Sequence, residues 1–200
     1  MTIRVRIAYL GLLACLFAVA QGTSFAGKVQ SEEIGAGSAR RVVLSNGVLK
    51  LTFDPNQGGR CVRFEFLDNG EQIIDTNNPC SGMFLDHWAR FAWPSGLMYR
   101  PYHYEIVGDG KETVGIRLWT EVPATGGGKG SPQEPASRKI PTHENLIGLV
   151  VEKTILLRAG SDVIHVKCAL INPLKESRSA GLYVQHNFNM GGSLYHDVWF

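Results

Sequence analysis

The sequence predicts an all-β protein, an antiparallel β-sandwich, on three observations. Apolar and polar residues alternate with a period of two through most of the chain. Asn, Asp, Gly and Pro residues cluster at the turns between the alternating segments. No long segment carries the apolar stripe of an amphipathic helix. We therefore predict one sandwich domain over residues 41–200, preceded by a flexible segment at 27–40.

The first 26 residues have the features of a secretory signal peptide. Arg4 and Arg6 precede an apolar run over residues 7–20, and small residues flank one central position at 18–20 and at 24–26. The run is shorter than the ~20 residues that span a bilayer, and a retained anchor is the alternative interpretation. We predict a secreted or periplasmic protein that has no membrane association once the signal is cleaved.

Composition limits the classes of partner. Cleavage after Ala26 leaves 174 residues (200 less 26) and removes two of the 20 basic residues but none of the 18 acidic ones. The net charge then falls from +2 to zero. A neutral chain gives no electrostatic reason to expect nucleic acid or anionic lipid as a partner. The remaining length suits one domain with a sizeable core.

The alternation places the first strands in order. Arg41–Ser45 and residues 48–53 flank Asn46-Gly47, which is typical of a two-residue hairpin. Residues 62–66 alternate Val, Phe and Phe with Arg and Glu, and residues 72–75 form the next hairpin partner. Residues 77–98 lack a regular pattern, and we predict irregular structure there.

Further strands are predicted at residues 102–107, 114–122, 146–157, 163–171, 181–188 and 194–200. In the segment 163–171, the predicted core face consists of Ile164, Val166, Cys168 and Leu170. Residues 123–145 are rich in Gly, Pro, Ser and Lys. We predict a long mobile loop there, with a functional lid as the alternative to plain disorder.

Three cysteines follow the signal: Cys61, Cys80 and Cys168. Export to an oxidising environment allows a disulfide, and Cys61 and Cys80 are the predicted pair because they are nearest in sequence. The alternative is that all three are small buried thiols. The sequence has no Cys-x-x-Cys, His-x-His or His-Glu-x-x-His spacing. We therefore predict no metal site and no cofactor.

The first candidate ligand-binding segment is residues 84–93, in the predicted irregular region. Its candidate side chains are Asp86, His87, Trp88, Arg90 and Trp93. Flat aromatic faces suit the C–H face of a pyranose, and charged groups suit its hydroxyls, so we predict a mono- or oligosaccharide as ligand. The alternative is that both tryptophans close one end of the sandwich.

The second candidate segment is Gln185-His186-Asn187, on a predicted strand. Amide side chains both donate and accept hydrogen bonds, as sugar hydroxyls do. His186 shares its face of the strand with Val184. It is therefore either a core histidine satisfied by one hydrogen bond or a ligand-facing group positioned for proton transfer.

The order of these motifs resembles the galactose mutarotase-like (aldose 1-epimerase-like) family. The motifs are the hairpin Val43-Leu44-Ser45-Asn46-Gly47-Val48-Leu49, the step Pro55-Asn56-Gln57-Gly58-Gly59-Arg60, the central hairpin from Val151 to Asn172, and Gln185-His186-Asn187-Phe188-Asn189. The resemblance covers roughly residues 41–200. It implies a large antiparallel sandwich that binds sugars on a concave face.

For an active member, the resemblance implies that His186 is the general acid at the ring oxygen and that a Glu nearer the C-terminus removes the anomeric proton. Here Asn187 stands where the family has tyrosine, and no Glu follows Glu176. We expect a carbohydrate-binding sandwich, the N-terminal portion of a longer domain. The alternatives are a sugar 1-epimerase (an isomerase) or a polysaccharide lyase without its C-terminal catalytic residues, and an exported structural or interaction domain.

Overall fold

The computed structural model describes residues 27–74, 81–88, 96–122 and 146–187. These residues form ten strands in two antiparallel sheets. Short 3₁₀ turns occupy Gly37–Ala39 and Gly96–Tyr99. The strands are β1 (Gln30–Ile34), β2 (Arg41–Ser45), β3 (Leu49–Asp54), β4 (Arg60–Phe66), β5 (Gly82–Trp88), β6 (His103–Val107), β7 (Thr113–Glu121), β8 (Val150–Arg158), β9 (Ile164–Ile171) and β10 (Leu182–Asn187).

The topology is a meander with one long return. The six-stranded sheet has the order β1-β2-β3-β4-β5-β10, and the four-stranded sheet has the order β6-β7-β8-β9. Every neighbouring pair is antiparallel. The chain leaves the first sheet after β5, completes the second sheet, and returns in β10 to lie beside β5. The predicted all-β antiparallel sandwich is confirmed.

The core lies between the two sheets, where the apolar residues of each alternating strand face inward. Its larger cluster contains Leu44, Leu51 and Phe53 from the six-stranded sheet and Ile116 and Ile155 from the four-stranded sheet, all fully buried. Removing such surface from water is the main stabilising term in folding. A smaller cluster closes one end; it contains Trp88, Leu97, Val122, Leu146, Leu149 and Val151.

Asn46 links the β2–β3 hairpin to the opposite sheet. Its backbone N–H donates to Leu49 O at 3.1 Å, so the turn is centred on Gly47 (φ 87°) and Val48, one residue beyond the predicted position. The fully buried Asn46 side chain accepts from Val48 N and Leu49 N, and it donates to Arg158 O and Ser161 O at 2.7 Å each. Asn46 therefore links the β2–β3 turn to the turn between β8 and β9.

The structure differs from the sequence-based expectation in two strands. Strand β1 lies in the segment predicted to be flexible, and it pairs with β2 over its whole length although its side chains are exposed. Strand β5 lies in the segment predicted to be irregular, and every one of its residues is buried. A strand that is exposed or buried on both faces has no alternation to detect. Within the described part of the chain, the hairpin predicted at residues 72–75 consists of an isolated bridge, Glu65–Gln72, and the backbone hydrogen bonds from Phe66 N to Glu71 O and from Ile73 N to Phe64 O.

The predicted core face of β9 is correct only at its beginning. Ile164 is buried and Val166 is half-buried, whereas Cys168 and Leu170 are exposed. Strand β9 is an edge strand of its sheet, and along its second half alternation does not signify burial. Cys61 is a buried free thiol that donates to Arg63 O at 3.1 Å. Its predicted disulfide partner, Cys80, lies outside the described residues.

The predicted signal peptide, the loop at 123–145 and the strand at 194–200 also lie outside the described residues. Among the residues that the structure does describe, no helix has the length and apolar character needed to cross a membrane.

Candidate functional site

The structure brings the two candidate segments together on neighbouring strands. In the register of β5 and β10, Leu182 faces Trp88, Tyr183 faces His87, and Val184 faces Asp86. The segments are far apart in sequence, and their contact depends on the return of the chain in β10. Arg90 and Trp93 lie outside the described residues. Strand alternation then decides which described side chains turn inward and which turn outward.

Asp86 turns inward and forms a buried ion pair with Lys153. Lys153 Nζ lies 2.7 Å from Asp86 Oδ2, and neither side chain has any solvent exposure. The same ammonium donates to Gly58 O at 2.9 Å and to Phe84 O at 2.6 Å, so each of its three N–H donors has an acceptor. Lys153 lies on β8, and the pair therefore joins the two sheets across the sandwich.

Tyr102 completes this buried cluster. Its hydroxyl donates to Asp86 Oδ2 at 2.9 Å, and Lys153 Nζ lies 5.0 Å from the centre of its ring. Burial, with the nearby Asp86 charge second, raises the pKa of Tyr102 well above its ordinary value, so the phenol stays protonated. This corrects the expectation that Asp86 binds hydroxyls of a ligand, because its carboxylate is held inside the core.

Trp88 also turns into the core. It is buried and packs in the smaller core cluster with Leu97 and Val151. The expectation of a sugar-stacking Trp88 is therefore corrected in favour of the alternative, in which this tryptophan closes one end of the sandwich.

His87 turns to the opposite face of β5. Its ring stacks on Tyr183, with 5.1 Å between the ring centres and 17° between their planes. His87 is 1% exposed, and neither ring nitrogen has a hydrogen-bond partner among the described residues. Burial lowers the pKa of His87 to about 4; the Asp86 charge opposes this shift, and the Lys153 charge adds to it. The imidazole is therefore neutral near pH 7.

His186 holds an irregularity in the β5–β10 pair. The register shifts between Gln185 and Asn187, opposite Phe84, whose φ of 60° lies in the left-handed region. His186 Nδ1 accepts a hydrogen bond from Phe84 N at 3.2 Å, and the two rings meet edge to face at 5.1 Å. Because a backbone N–H donates to Nδ1, the neutral ring carries its proton on Nε2.

The same geometry bears on the predicted general-acid role of His186. Burial, with the Lys153 charge second, lowers the pKa of His186. Protonation at Nδ1 would also break the hydrogen bond from Phe84 N. Both effects favour the neutral imidazole, which is a weak proton donor.

Beside Tyr183, the outer face of β10 presents two amides. Gln185 Nε2 donates to Asn187 Oδ1 at 2.7 Å, and both side chains are half-buried. Tyr183 is 42% exposed. We call the surface formed by His87, Tyr183, Gln185 and Asn187 the β5–β10 face.

Sequence reasoning missed three residues of this region: Tyr102, Lys153 and Tyr183. Lys153 had a detectable signal, since it shares its strand face with the buried Val151 and Ile155. A lysine at a core position requires a buried partner. Tyr183 alternates with Gln185, but only the register with β5 shows that it stacks on His87.

A separate open groove of about 450 Å³ lies along the edge strand β6. Its walls include Arg40, Tyr104 and Trp119, and His103 stacks on Trp119 at 5.7 Å. Within the described part of the chain, no group of three or more His, Cys, Asp or Glu side chains is arranged to hold a metal ion.

Comparisons with known proteins give little guidance. No family model matches the chain, and no curated protein matches it. Among solved structures, it is similar to a TPR-domain containing protein from Parabacteroides distasonis, with 13% sequence identity and a TM-score of 0.47. That match covers 68% of this chain and 21% of the other, so the chain spans about a fifth of that protein. A likeness this distant says nothing about function.

Proposed function

We propose that this protein binds carbohydrate on the β5–β10 face. One observation carries the proposal: the register places exposed Tyr183 directly opposite His87, with Gln185 on the same face of β10. The face thus combines an aromatic ring with amide groups on paired strands. Strands hold side chains more rigidly than loops do, which suits recognition of a ligand with fixed geometry.

The chemistry of these groups fits a sugar. The exposed Tyr183 ring offers a flat apolar surface for the C–H face of a pyranose. Gln185 and Asn187 are held by one amide–amide hydrogen bond, and amides match hydroxyls because both donate and accept. The resemblance to mutarotase-like sandwiches points to the same ligand class.

The proposal is binding without turnover, in an exported protein. The hydrogen bond from Phe84 N to His186 Nδ1 favours a neutral imidazole, whereas ring opening needs a proton donor. The test is polarimetry of freshly dissolved α-galactose and α-glucose. We expect the purified protein to leave the rate of mutarotation unchanged. A catalysed rate that disappears in His186→Asn would establish the sugar 1-epimerase alternative instead.

A glycan array tests binding, with two variants of matched exposure. Tyr183 is 42% exposed and Leu67 is 43% exposed, and Leu67 lies at the turn after β4. We expect the native protein and Leu67→Ala to bind the same glycans. Tyr183→Ala should lose most of the signal because the stacking surface is gone. Absence of any glycan signal for the native protein would refute the proposed binding and favour the alternative of an exported structural or interaction domain.

A further inference from the structure

We infer that His87 is a concealed hydrogen-bonding anchor of the β5–β10 face, reached when the Tyr183 side chain rotates away, and that it recognises a hydroxyl group of an uncharged sugar. This inference rests on the proposed carbohydrate binding and adds the recognition residue, the movable cover and the charge of the ligand.

The first argument is the unsatisfied imidazole. His87 is 1% exposed, and its Nδ1 and Nε2 atoms both lack hydrogen-bond partners among the described residues. Buried polar groups in native proteins are nearly always paired, and an unpaired one lowers stability. Asp86 and Lys153, the adjacent buried charges, bond to each other on the opposite face of β5. A ligand that forms a hydrogen bond with the imidazole would recover the free energy that the unpaired nitrogens cost the free protein.

The second argument is the nature of the cover. Tyr183 stacks on His87 at 5.1 Å, yet it remains 42% exposed. Its backbone is fixed by pairing with β5, whereas its side chain can rotate about χ1. Exposed side chains change rotamer within picoseconds to nanoseconds. Rotation of this ring removes its stacking contact with His87 without breaking the sheet.

The third argument concerns charge. A neutral imidazole has one donor and one acceptor, and this combination matches a hydroxyl group. The described side chains beside His87 on its own face, Leu85, Tyr183 and Gln185, carry no charge, and the nearby Asp86 and Lys153 charges are paired with each other in the core. A carboxylate or ammonium on the ligand would lose its hydration here without a counter-charge. The site therefore selects against sugar acids and amino sugars.

Chemical modification tests the cover without any ligand. Diethyl pyrocarbonate acylates neutral imidazoles that are accessible, and peptide mass spectrometry reports each histidine separately. The exposed His103 provides the internal reference. If the open rotamer is populated at ~10% or less, Tyr183→Ala should accelerate modification of His87 by about tenfold or more. Leu67→Ala should leave the rate unchanged. Equal rates of His87 modification in native protein and Tyr183→Ala would overturn the inference.

A second measurement tests recognition. The probes are methyl glycosides of galactose, glucose and mannose, with galacturonate and galactosamine as charged counterparts. We expect at least one uncharged glycoside, and neither charged sugar, to protect His87 from modification. A preference for either charged sugar, or protection by none of the five, would refute the assignment.

The variant His87→Phe separates an anchor from a structural residue. It keeps a ring to stack on Tyr183 but removes both nitrogens. An anchor predicts loss of glycan binding with an unfolding temperature equal to or above that of the native protein, because an unsatisfied polar group is gone. Unchanged binding by His87→Phe would overturn the inference and leave the proposed function standing. Absence of glycan binding by the native protein would refute both the proposed function and this inference.

Discussion

The buried pair of Lys153 and Asp86 makes the sharpest prediction about stability. Replacing Lys153 with Met keeps most of the side-chain volume but removes the ammonium. Asp86 then stays buried without the ammonium that lies 2.7 Å away, and Gly58 O and Phe84 O lose their donor. Both side chains have no solvent exposure, so water does not screen the loss.

The expected loss in the free energy of unfolding follows from this burial. Removing one partner of a buried ion pair costs about 3–5 kcal/mol. A domain of this kind has a total stability of about 5–15 kcal/mol. Lys153→Met should therefore remove a large part of the free energy of unfolding, measured by urea denaturation followed by tryptophan fluorescence. The exposed pair of Arg63 and Glu65 is the control, and Arg63→Met should cost less than about 1 kcal/mol.

A double variant tests whether the buried Asp86 charge causes this loss of stability. Asp86→Asn removes the negative charge but retains an oxygen that accepts from the Tyr102 hydroxyl. Combined with Lys153→Met, it should recover part of the lost stability, because no uncompensated charge remains. A loss for Lys153→Met no larger than that of Arg63→Met would contradict the account of the pair as a buried link between sheets.

Three further predictions concern other buried groups. Asn46→Ala should reduce the free energy of unfolding by about 2–4 kcal/mol, because each of its four hydrogen bonds contributes about 1 kcal/mol; Asn56→Ala, which loses only exposed contacts, serves as the control in the same urea assay. The pKa of His87 is about 4 in the folded protein against 6.5 ordinarily, so the unfolded state binds more protons between these values. Stability should therefore fall as the pH decreases from about 6.5 towards 4, and His87→Phe should lose that part of the pH dependence; an identical pH profile in the variant would contradict this. In a thiol-labelling experiment, exposed Cys168 should react with maleimide in the native state, whereas Cys61, whose pKa burial raises to about 12, should react only on unfolding.

Sequence alternation was informative where one face of a strand is buried and the other is not. Strand β2 was predicted with its observed bounds, and β8 shows a regular succession of buried and half-buried residues. Strand β5 is buried throughout and β1 is exposed throughout, so neither has a period to detect. Strand β1 pairs with the neighbouring β2, and β5 pairs with the distant β10; local alternation encodes neither pairing.

The candidate site was predictable in its segments but not in its geometry. The segments around His87 and Gln185 were recognised from composition, and they do lie side by side. Composition did not show that Asp86 and Trp88 point into the core while His87 points outward. That division depends on the phase of β5, which the irregularity at Phe84 interrupts. The stacking of Tyr183 on His87 depends on the register of two strands far apart in sequence.

The return of the chain in β10 also has a consequence for how the protein folds. Trp88 and its partner Leu182 are separated by 94 positions in the sequence (182 less 88). The loop that their pairing closes contains the whole four-stranded sheet. The entropy lost in closing a loop grows with its length, and long-range pairings are correspondingly slow. Amide hydrogens of β10 should gain protection from exchange later during refolding than those of the β2–β3 hairpin. The proposed binding of a ligand on the β5–β10 face would then report that β10 has docked.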